Sequence, residues 1–397
     1  DPAAQLDAAQ YVGIHDRVSA FVAQSERHAL VTDFAAAYAS TEAYPAEALQ
    51  RAAIRALRRD PELLVKAAAS PGDPLLRGVL ARRALESGMS LSVDEIVVTQ
   101  GCIEALNIAL RAVAQPGDTI AVESPSYYGL LQVLESLGLR ALEIPTSPRT
   151  GLSVEALELA LQTSSERHER IAAVVVVPNF QNPLGCVMPD EHKQRLVQLC
   201  ERFDLPLIED DTYSALTADD VPLKALKAWD QSGGVIHCAS LRKILAPGMR
   251  MGWISGGRWH ARVQMLKYAQ TRANEKLPQL ITAEFMGSSA YDRHLARLRR
   301  QLKAQREQVS EAIAGCFPTG TRLSVPEGSL LLWVELPDGR SSQAVFDEAL
   351  QQGIRFVPGT LFSNSGRFDH FMRISCGFPF DAQAERALRE LGRIAAG

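Results

Sequence analysis

The chain has 397 residues, of which 46% are hydrophobic and 22% are charged, as in ordinary globular proteins, and its length predicts two or three domains. The formal net charge of −4 argues against a nucleic-acid-binding surface, because phosphate binding requires a basic face. The six cysteines have neither CxxC pairing nor metal-ligand spacing, so we predict reduced core residues and no metal site. No apolar run of about 18 residues and no signal peptide is seen, which favours a cytoplasmic protein without a membrane partner.

Apolar strands and amphipathic helices alternate from about residue 92 to residue 285. The predicted strands are EIVVT (95–99), the strand in PGDTIAVES, RALEIP, IAAVVVVP (171–178), LPLIED (205–210), VIHCAS (235–240) and RMGWISG (250–256). The predicted helices are GCIEALNIALRAVA (101–114), YYGLLQVLESLG, SVEALELALQ with Ser153 as its N-cap, and 189–203. This alternation predicts an α/β fold with a mostly parallel seven-stranded sheet flanked by helices, whose ligands bind beyond the carboxyl ends of the strands.

The pattern changes after residue 285. A long charged helix, YDRHLARLRRQLKAQREQVSEAI, is followed by short strands and two further helices, which predicts a smaller α+β domain. The basic run could bind nucleic acid, but a solvated or inter-domain helix is favoured. We therefore predict a lead-in over residues 1–45 that packs with the small domain, a large domain over 46–285 and a small domain over 286–397. The missing initial methionine suggests an excised or processed piece of a longer protein.

A lysine follows the buried strand VIHCAS. In SLRKILAPGMRMGW, Lys243 has Ser240 three residues before it and Arg250 seven residues after it. A single lysine at such a place is usually solvated. The flanking proline, glycine and arginine instead favour a functional lysine.

Five further stretches stand at predicted strand ends and contain groups suited to an anionic, ring-shaped ligand. They are TQGCIEAL (99–106), ESPSYYG (123–129), PNFQNPLG (178–185), IEDDTYS (208–214) and FMRISCGF (371–378). Each has an ordinary alternative: a glycine before a helix, a turn, an acidic surface loop or an arginine at the rim of a sheet. Taken together and in this order, they indicate a cofactor site.

These motifs resemble those of fold type I pyridoxal-phosphate enzymes of the class I/II aminotransferase group. Within that group the chain is most similar to the aminotransferase-like domain of MocR-type, GntR-family transcriptional regulators. The resemblance runs from about Phe34 to the C-terminus. It implies the fold type I transferase architecture and pyridoxal 5′-phosphate as cofactor, with amino acids and 2-oxo acids as substrates.

The resemblance also implies a role for each site residue. Lys243 would form the Schiff base with the cofactor and act as general base and acid, for which its pKa must fall below the usual value of about 10.4. The phosphate would be held by Ser240, Arg250 and the backbone N–H groups of Cys102 and Ile103, with Gly101 permitting close approach. The ring would be held by Asp210 at its nitrogen, by Tyr213 and Asn182 at its phenolic oxygen, and by Tyr127 on its face. The substrate would contact Arg373 through its α-carboxylate, and also Asn182 and Ala37. Tyr128 is expected to pack in the core.

Three positions depart from the family pattern. Ala67 stands where many members have a tyrosine that reaches the phosphate of the partner subunit, and Arg242 replaces the serine before the lysine. Ala37 stands where many transaminases have a glycine near the substrate. An altered phosphate edge and substrate gate are therefore expected.

Two functions follow from the resemblance. The first is an aminotransferase that moves the amino group of an amino acid to a 2-oxo acid. The second is an effector-sensing domain of a transcriptional regulator that binds the cofactor and an amino acid without turnover; a domain that has lost its cofactor is a third possibility. The resemblance further implies a homodimer. Binding to DNA is expected only through a domain preceding residue 1, and no nucleic acid is expected to bind this chain alone.

Overall fold

The computed structural model describes residues 7–167, 169–219 and 221–397. Its α-helices are α1 (His15–Glu26), α2 (Ala46–Arg59), α3 (Pro74–Ala84), α4 (Cys102–Val113), α5 (Tyr128–Ser136), α6 (Val154–Glu166), α7 (Asp190–Arg202), α8 (His260–Gln270), α9 (Lys276–Met286), α10 (Ser289–Cys316), α11 (Ser342–Gln351) and α12 (Ala382–Ala396). Its strands are β1 (Gln10–Tyr11), β2 (Thr32–Asp33), β3 (Ile96–Thr99), β4 (Thr119–Ser124), β5 (Arg140–Ser147), β6 (Gly151–Leu152), β7 (Ile171–Val176), β8 (Leu207–Asp211), β9 (Val235–Ser240), β10 (Gly252–Ser255), β11 (Arg322–Leu323), β12 (Leu331–Glu335), β13 (Ile354–Arg355), β14 (Val357–Pro358) and β15 (Phe371–Ser375).

The large sheet has the strand order β1-β5-β4-β7-β8-β9-β10-β3, with β6 paired to β5. Strands β5, β4, β7, β8 and β9 run parallel, whereas β10 is antiparallel to both of its neighbours, β9 and β3. The predicted α/β fold with a mostly parallel sheet is therefore confirmed. The sheet contains nine strands rather than the predicted seven. The two additions, β1 and β6, have two residues each, too few for a hydrophobic pattern to show.

Helices cover both faces of this sheet because its strands are apolar on both sides. Along β7, Val175 packs in the cluster that contains Ile108 of α4. Its neighbour Val174 packs in the cluster on the other face, with Leu157 of α6 and Leu196 of α7. The predicted N-cap of α6 is also confirmed, since the Ser153 hydroxyl accepts a hydrogen bond from the Ala156 N–H at 3.1 Å.

The C-terminal part forms a second core around the antiparallel sheet β11-β12-β15-β14. Phe34 of the N-terminal segment is fully buried in this core, and β2 pairs in parallel with β13. The same segment also contacts the large sheet, where β1 pairs with β5. The division of the chain at residues 45 and 285 stays a prediction, and the first six residues of the predicted lead-in lie outside the described residues.

The basic helix α10 packs against both cores, with Leu295 in one cluster and Val309 in the other. It has 28 residues and buries an apolar face that includes Leu298 and Leu302. Two of its arginines cap backbone carbonyls of other segments: Arg299 Nε donates to Ala215 at 2.8 Å, and Arg306 donates to Ser329 at 2.9 Å. In the described part of the chain, no helix combines the length and the apolar character needed to span a membrane.

Candidate functional site

A cavity of about 370 Å³ opens at the carboxyl ends of β4, β8 and β9. Within the described residues, its lining contains every predicted site residue except Gly101 and Arg250: Ala37, Cys102, Ile103, Tyr127, Asn182, Asp210, Tyr213, Ser240, Lys243 and Arg373. Parallel strands end at one edge of the sheet, so side chains far apart in sequence meet there.

Lys243 lies in the irregular segment after β9, with its amino group inside the cavity. Its Nζ donates a hydrogen bond to the carbonyl oxygen of Ala37 at 2.7 Å and lies 3.6 Å from the centroid of the Tyr38 ring. Burial, and then the positive charges of Arg242 and Arg373, lower the pKa of Lys243 to about 7. A substantial fraction of the amine is therefore neutral, and hence nucleophilic and basic, near neutral pH.

Asp210 is the penultimate residue of β8 and is buried in the lining of the cavity. Its Oδ1 accepts hydrogen bonds from the Thr212 hydroxyl at 2.6 Å and from the Cys102 thiol at 3.2 Å. Burial raises the pKa of Asp210, and these two hydrogen bonds oppose that effect. Within the described residues no hydrogen bond reaches Oδ2, so this carboxylate has an oxygen available for a cationic ligand atom.

Arg373 projects from β15 and is 1% exposed. Its guanidinium donates to Asn182 Oδ1 at 3.1 Å and to the carbonyl oxygen of Ala35 at 2.8 Å. Its Nε is buried and has no partner among the described residues. The positive charge of this buried guanidinium has neutral acceptors but no anionic partner, so this end of the cavity is suited to a carboxylate.

The loop from β3 to α4 forms another wall of the cavity. Gly101 has φ +82°, a conformation that side chains rarely adopt, and α4 begins at the next residue, Cys102. The N–H groups of the first helical turn, including those of Cys102 and Ile103, have no partner within the helix and attract anions. Ser240 ends β9 nearby, and its hydroxyl accepts a hydrogen bond from the Arg242 N–H at 3.2 Å.

A buried ion pair supports this loop from beneath. The Glu104 carboxylate accepts from the Gln100 N–H at 2.6 Å. Lys267 of α8, which is 1% exposed, donates to the same carboxylate at 2.9 Å. Thr271 and Asn274 accept the remaining hydrogen bonds of the Lys267 ammonium, at 2.9 and 2.8 Å. The start of α4 is therefore fixed by a fully hydrogen-bonded network.

Aromatic rings occupy the side of the cavity near α5. Tyr127 and Tyr128 both line it, with ring centroids 5.0 Å apart. Tyr128 packs against the core cluster as expected, but it also faces the cavity, where the Arg373 guanidinium lies 5.9 Å from its ring. Burial raises the pKa of both Tyr127 and Tyr213, so both phenols stay protonated and can donate hydrogen bonds.

The sequence interpretation missed several contacts of the cavity. Tyr38, against which Lys243 packs, lies in an irregular stretch of the N-terminal segment that carries no strand-end signal. Thr212 could have been found, because it stands two residues after Asp210 in the same motif. Arg242, which the sequence marked as a departure from the family pattern at the phosphate edge, lines the cavity.

Arg250 lies outside the cavity lining in the described structure. It is exposed and has φ +50° at the end of a short helical turn. Its predicted contact with a phosphate group stays a prediction. Among the described residues there is no group of three or more His, Cys, Asp or Glu side chains that could hold a metal ion.

Comparisons with known proteins agree on one family. The family model for class I and II aminotransferases matches residues 20–391. The HTH-type transcriptional regulator YjiR of Escherichia coli is 37% identical over 321 residues, which is 81% of this chain and 67% of YjiR. Aromatic-amino-acid aminotransferase 1 of Thermococcus litoralis is 27% identical over 363 residues, covering 91% of this chain and 87% of that enzyme.

The crystal structure of the kynurenine aminotransferase of Pyrococcus horikoshii, in complex with PMP, kynurenine and its product, has a closely similar fold. Its TM-score is 0.89 at 25% sequence identity, and the match covers 96% of this chain and 94% of that one.

Proposed function

Because the chain belongs to the family of class I and II aminotransferases, we propose that the cavity around Lys243 moves the amino group of an amino acid to a 2-oxo acid. The family uses pyridoxal 5′-phosphate as its cofactor, and the kynurenine aminotransferase of the same fold binds PMP. The observation that carries the proposal is the meeting of Lys243, Asp210 and Arg373 in one cavity.

The residues of the cavity fit this cofactor. Lys243, with a pKa of about 7, would bond to its aldehyde, and Asp210, with one oxygen available, would pair with its ring nitrogen. When bound, the cofactor supplies an electron sink for the charge left on the α-carbon of the substrate. The remaining contacts would come from Tyr127 on the ring face, Tyr213 and Asn182 at the phenolic oxygen, and Gly101, Cys102, Ile103, Ser240 and Arg250 around the phosphate.

Lys243 would also move the proton of the reaction. A neutral Nζ can accept the proton from the α-carbon of the amino acid as a base and return a proton as an acid. Its low pKa supports this role because a base works best when its pKa lies near the working pH. The hydrogen bond from Nζ to Ala37 holds the free amine at the cavity wall and must open when the amine reacts.

Arg373 would position the substrate through its α-carboxylate. Its planar guanidinium is already oriented by Asn182 and the carbonyl of Ala35, so a carboxylate can add two parallel hydrogen bonds without a large loss of side-chain entropy. Ala37, which also lines the cavity and accepts the hydrogen bond of Lys243, would lie beside the substrate.

A second candidate function is sensing within a longer regulator. YjiR is named as a transcriptional regulator and has a higher identity to this chain than the aromatic-amino-acid aminotransferase has. In that setting, binding of an amino acid in the cavity would be read out by a DNA-binding domain joined to this one. A cytoplasmic homodimer is part of this proposal for either function.

Two measurements test these functions. Purified protein with pyridoxal 5′-phosphate should develop an absorbance band that differs from the spectrum of the free cofactor, and that remains after unbound cofactor is removed. The Lys243→Ala variant should lack this band, and an identical band in both proteins would overturn the proposal. Addition of amino acids with a 2-oxo acid should then give many product molecules per protein molecule if the chain is an enzyme. A single spectral change without further product would instead support the sensing function.

A further inference from the structure

We propose that Arg242, the residue immediately before Lys243, is an additional anion-binding residue of the cavity and contributes to binding the cofactor phosphate. This inference rests on the proposed function, since it names a further ligand at the same site. It gives a physical role to one of the positions at which the sequence departs from the family pattern.

The Arg242 side chain lies beside the start of α4. It lines the cavity, and its Cδ lies only 3.2 Å from the point that a Cβ on Gly101 would occupy. The side chain therefore crosses the start of α4, where the N–H groups of the first turn are without helical partners. Its own backbone N–H donates to the Ser240 hydroxyl, so Arg242, Ser240 and Gly101 surround the same corner of the cavity.

The second step is that this guanidinium has no counter-ion. Its Nε is buried without a hydrogen-bond partner, and within the described ranges Arg242 forms no salt bridge. Its Cζ lies 5.3 Å from the centroid of the Tyr38 ring, a contact that orients the guanidinium but does not neutralise it. Because arginine stays charged at every accessible pH, an anion in this corner would remove an electrostatic cost.

The third step is the balance of charge in the cavity. Arg242, Lys243 and Arg373 are the basic side chains of the lining that have no carboxylate partner in the described structure, and Asp210 is the acidic one among the lining residues. Arg355 also lines the cavity, but it is paired with Asp33. A substrate carboxylate at Arg373 accounts for one negative charge. The guanidinium of Arg242 is then left for a second anion, and the helix start and Ser240 lie beside it to complete the hydrogen bonds of a phosphate group.

The test compares two ligands that differ only in the phosphate. The full chain, freed of cofactor, is titrated with pyridoxal 5′-phosphate and with pyridoxal, and the Lys243-dependent absorbance gives both dissociation constants. Loss of Arg242 raises the pKa of Lys243 and so affects both ligands alike, whereas the ratio of the two constants isolates the phosphate. We expect Arg242→Ser to reduce the preference for the phosphorylated ligand on the order of 10- to 100-fold, the effect of losing charge-assisted hydrogen bonds.

Two matched variants sharpen the test. Arg242→Lys keeps the charge without the planar donor array and should retain part of the preference. Arg258→Ser makes the same charge change at an exposed ion pair with Asp204, beyond β10 at the opposite edge of the sheet, and should leave the ratio unchanged. Circular dichroism of each variant verifies that the fold is retained, and Arg242→Lys keeps the test decisive if Arg242→Ser does not fold.

The results separate this inference from the proposed function. A ratio that stays at the wild-type value in Arg242→Ser and Arg242→Lys would overturn the role of Arg242 while the Lys243-dependent band persists. An increased KM for acidic amino acids alone, with an unchanged ratio, would also overturn it, because Arg242 would then face a substrate side chain. If the wild-type chain gives no Lys243-dependent band with pyridoxal 5′-phosphate, the proposed function itself fails.

Discussion

The Lys243 amine donates its hydrogen bond to the carbonyl oxygen of Ala37, a residue 206 positions earlier in the chain. The Tyr44 hydroxyl makes a second connection, since it accepts from the Ala39 N–H at 3.1 Å and donates to the carbonyl oxygen of Lys243 at 3.4 Å. The N-terminal segment therefore forms one wall of the cavity and fixes both ends of this lysine. The carbonyl of Ala37 accepts the hydrogen bond of the Lys243 amine, and the ring of Tyr38 covers that amine. Both residues shield the amine from water.

This shielding leads to a prediction about pH. Burial and the neighbouring arginines lower the pKa of Lys243 to about 7, and only the neutral amine attacks an aldehyde. The rate of pyridoxal capture should therefore rise as the pH increases through about 7 and level off above it. Pyridoxal is used because it lacks a phosphate that titrates in the same range. Stopped-flow absorbance from about pH 5.5 to about pH 11 measures the midpoint.

The Arg242→Ser variant provides the control for that midpoint. Arg242 is the second largest cause of the low pKa of Lys243, after burial, and removing its charge should move the midpoint of pyridoxal capture to higher pH. A midpoint near 10 in the wild-type chain would contradict the prediction, because it would mean that the amine is solvated.

A second prediction concerns substrate binding by Arg373. Arg373→Lys keeps the positive charge but loses the planar pair of donors that Asn182 and Ala35 orient. The KM for the amino acid should rise on the order of 10- to 100-fold, while the absorbance band of the bound cofactor stays unchanged. Steady-state kinetics with a coupled assay measures the first effect and a spectrum the second.

The matched control for that variant is Arg322→Lys. Arg322 lies on β11 with a side chain that is 79% exposed, so the same change there should alter neither KM nor the spectrum. Loss of the cofactor band in Arg373→Lys, rather than a change in KM, would show that Arg373 maintains the cavity instead of binding substrate.

The strand ends of the sheet explain how much of the site the sequence could reveal. Asp210, Ser240 and Arg373 were predictable because each stands at or within a short apolar strand whose end must open toward a ligand. Lys243 stood out through the flanking proline, glycine and arginine of SLRKILAPGMRMGW, and its role came from the resemblance to the family motif. These signals are local, and each can be read within about ten residues of sequence.

The missed parts of the site depend on contacts between distant segments. Tyr38 and the carbonyl of Ala37 reach Lys243 from a stretch without regular structure, where no periodicity marks a function. The pairing of Glu104 with Lys267 spans 163 positions and joins two helices whose sequences give no sign of each other. Strands of two residues, such as β1, depend on their partner strand rather than on their own pattern.

A third prediction tests the backbone at the start of α4. Gly101 has φ +82°, and an added methyl group would also meet Arg242 Cδ at 3.2 Å. Gly101→Ala should therefore destabilise the protein by about 1–2 kcal/mol and weaken binding of pyridoxal 5′-phosphate more than that of pyridoxal. Gly315→Ala in α10 is the control, because nothing lies within 4 Å of its new methyl group. It should stabilise the chain by about 0.5–1 kcal/mol, as expected inside a helix.

The fourth prediction concerns the buried ion pair beneath the same loop. Lys267 and Glu104 have side chains that are 1% and 7% exposed, and the Glu104 carboxylate also accepts a hydrogen bond from the Gln100 N–H in the loop before α4. Lys267→Met would leave this carboxylate buried without a cation, which costs about 3–5 kcal/mol of unfolding free energy. Urea denaturation measures this loss. The first turn of α4 should loosen with it, so binding of pyridoxal 5′-phosphate should weaken as well.

Two further variants decide whether the loss comes from the uncompensated charge. Combining Lys267→Met with Glu104→Gln removes both charges but keeps an acceptor for the Gln100 N–H, so most of the stability should return. Arg195→Met breaks an ion pair with Glu155 whose side chains are 49% and 58% exposed, and should cost less than about 1 kcal/mol. If the double variant were as unstable as Lys267→Met alone, the loss would come from packing around Lys267, because the charge that required compensation would already be gone.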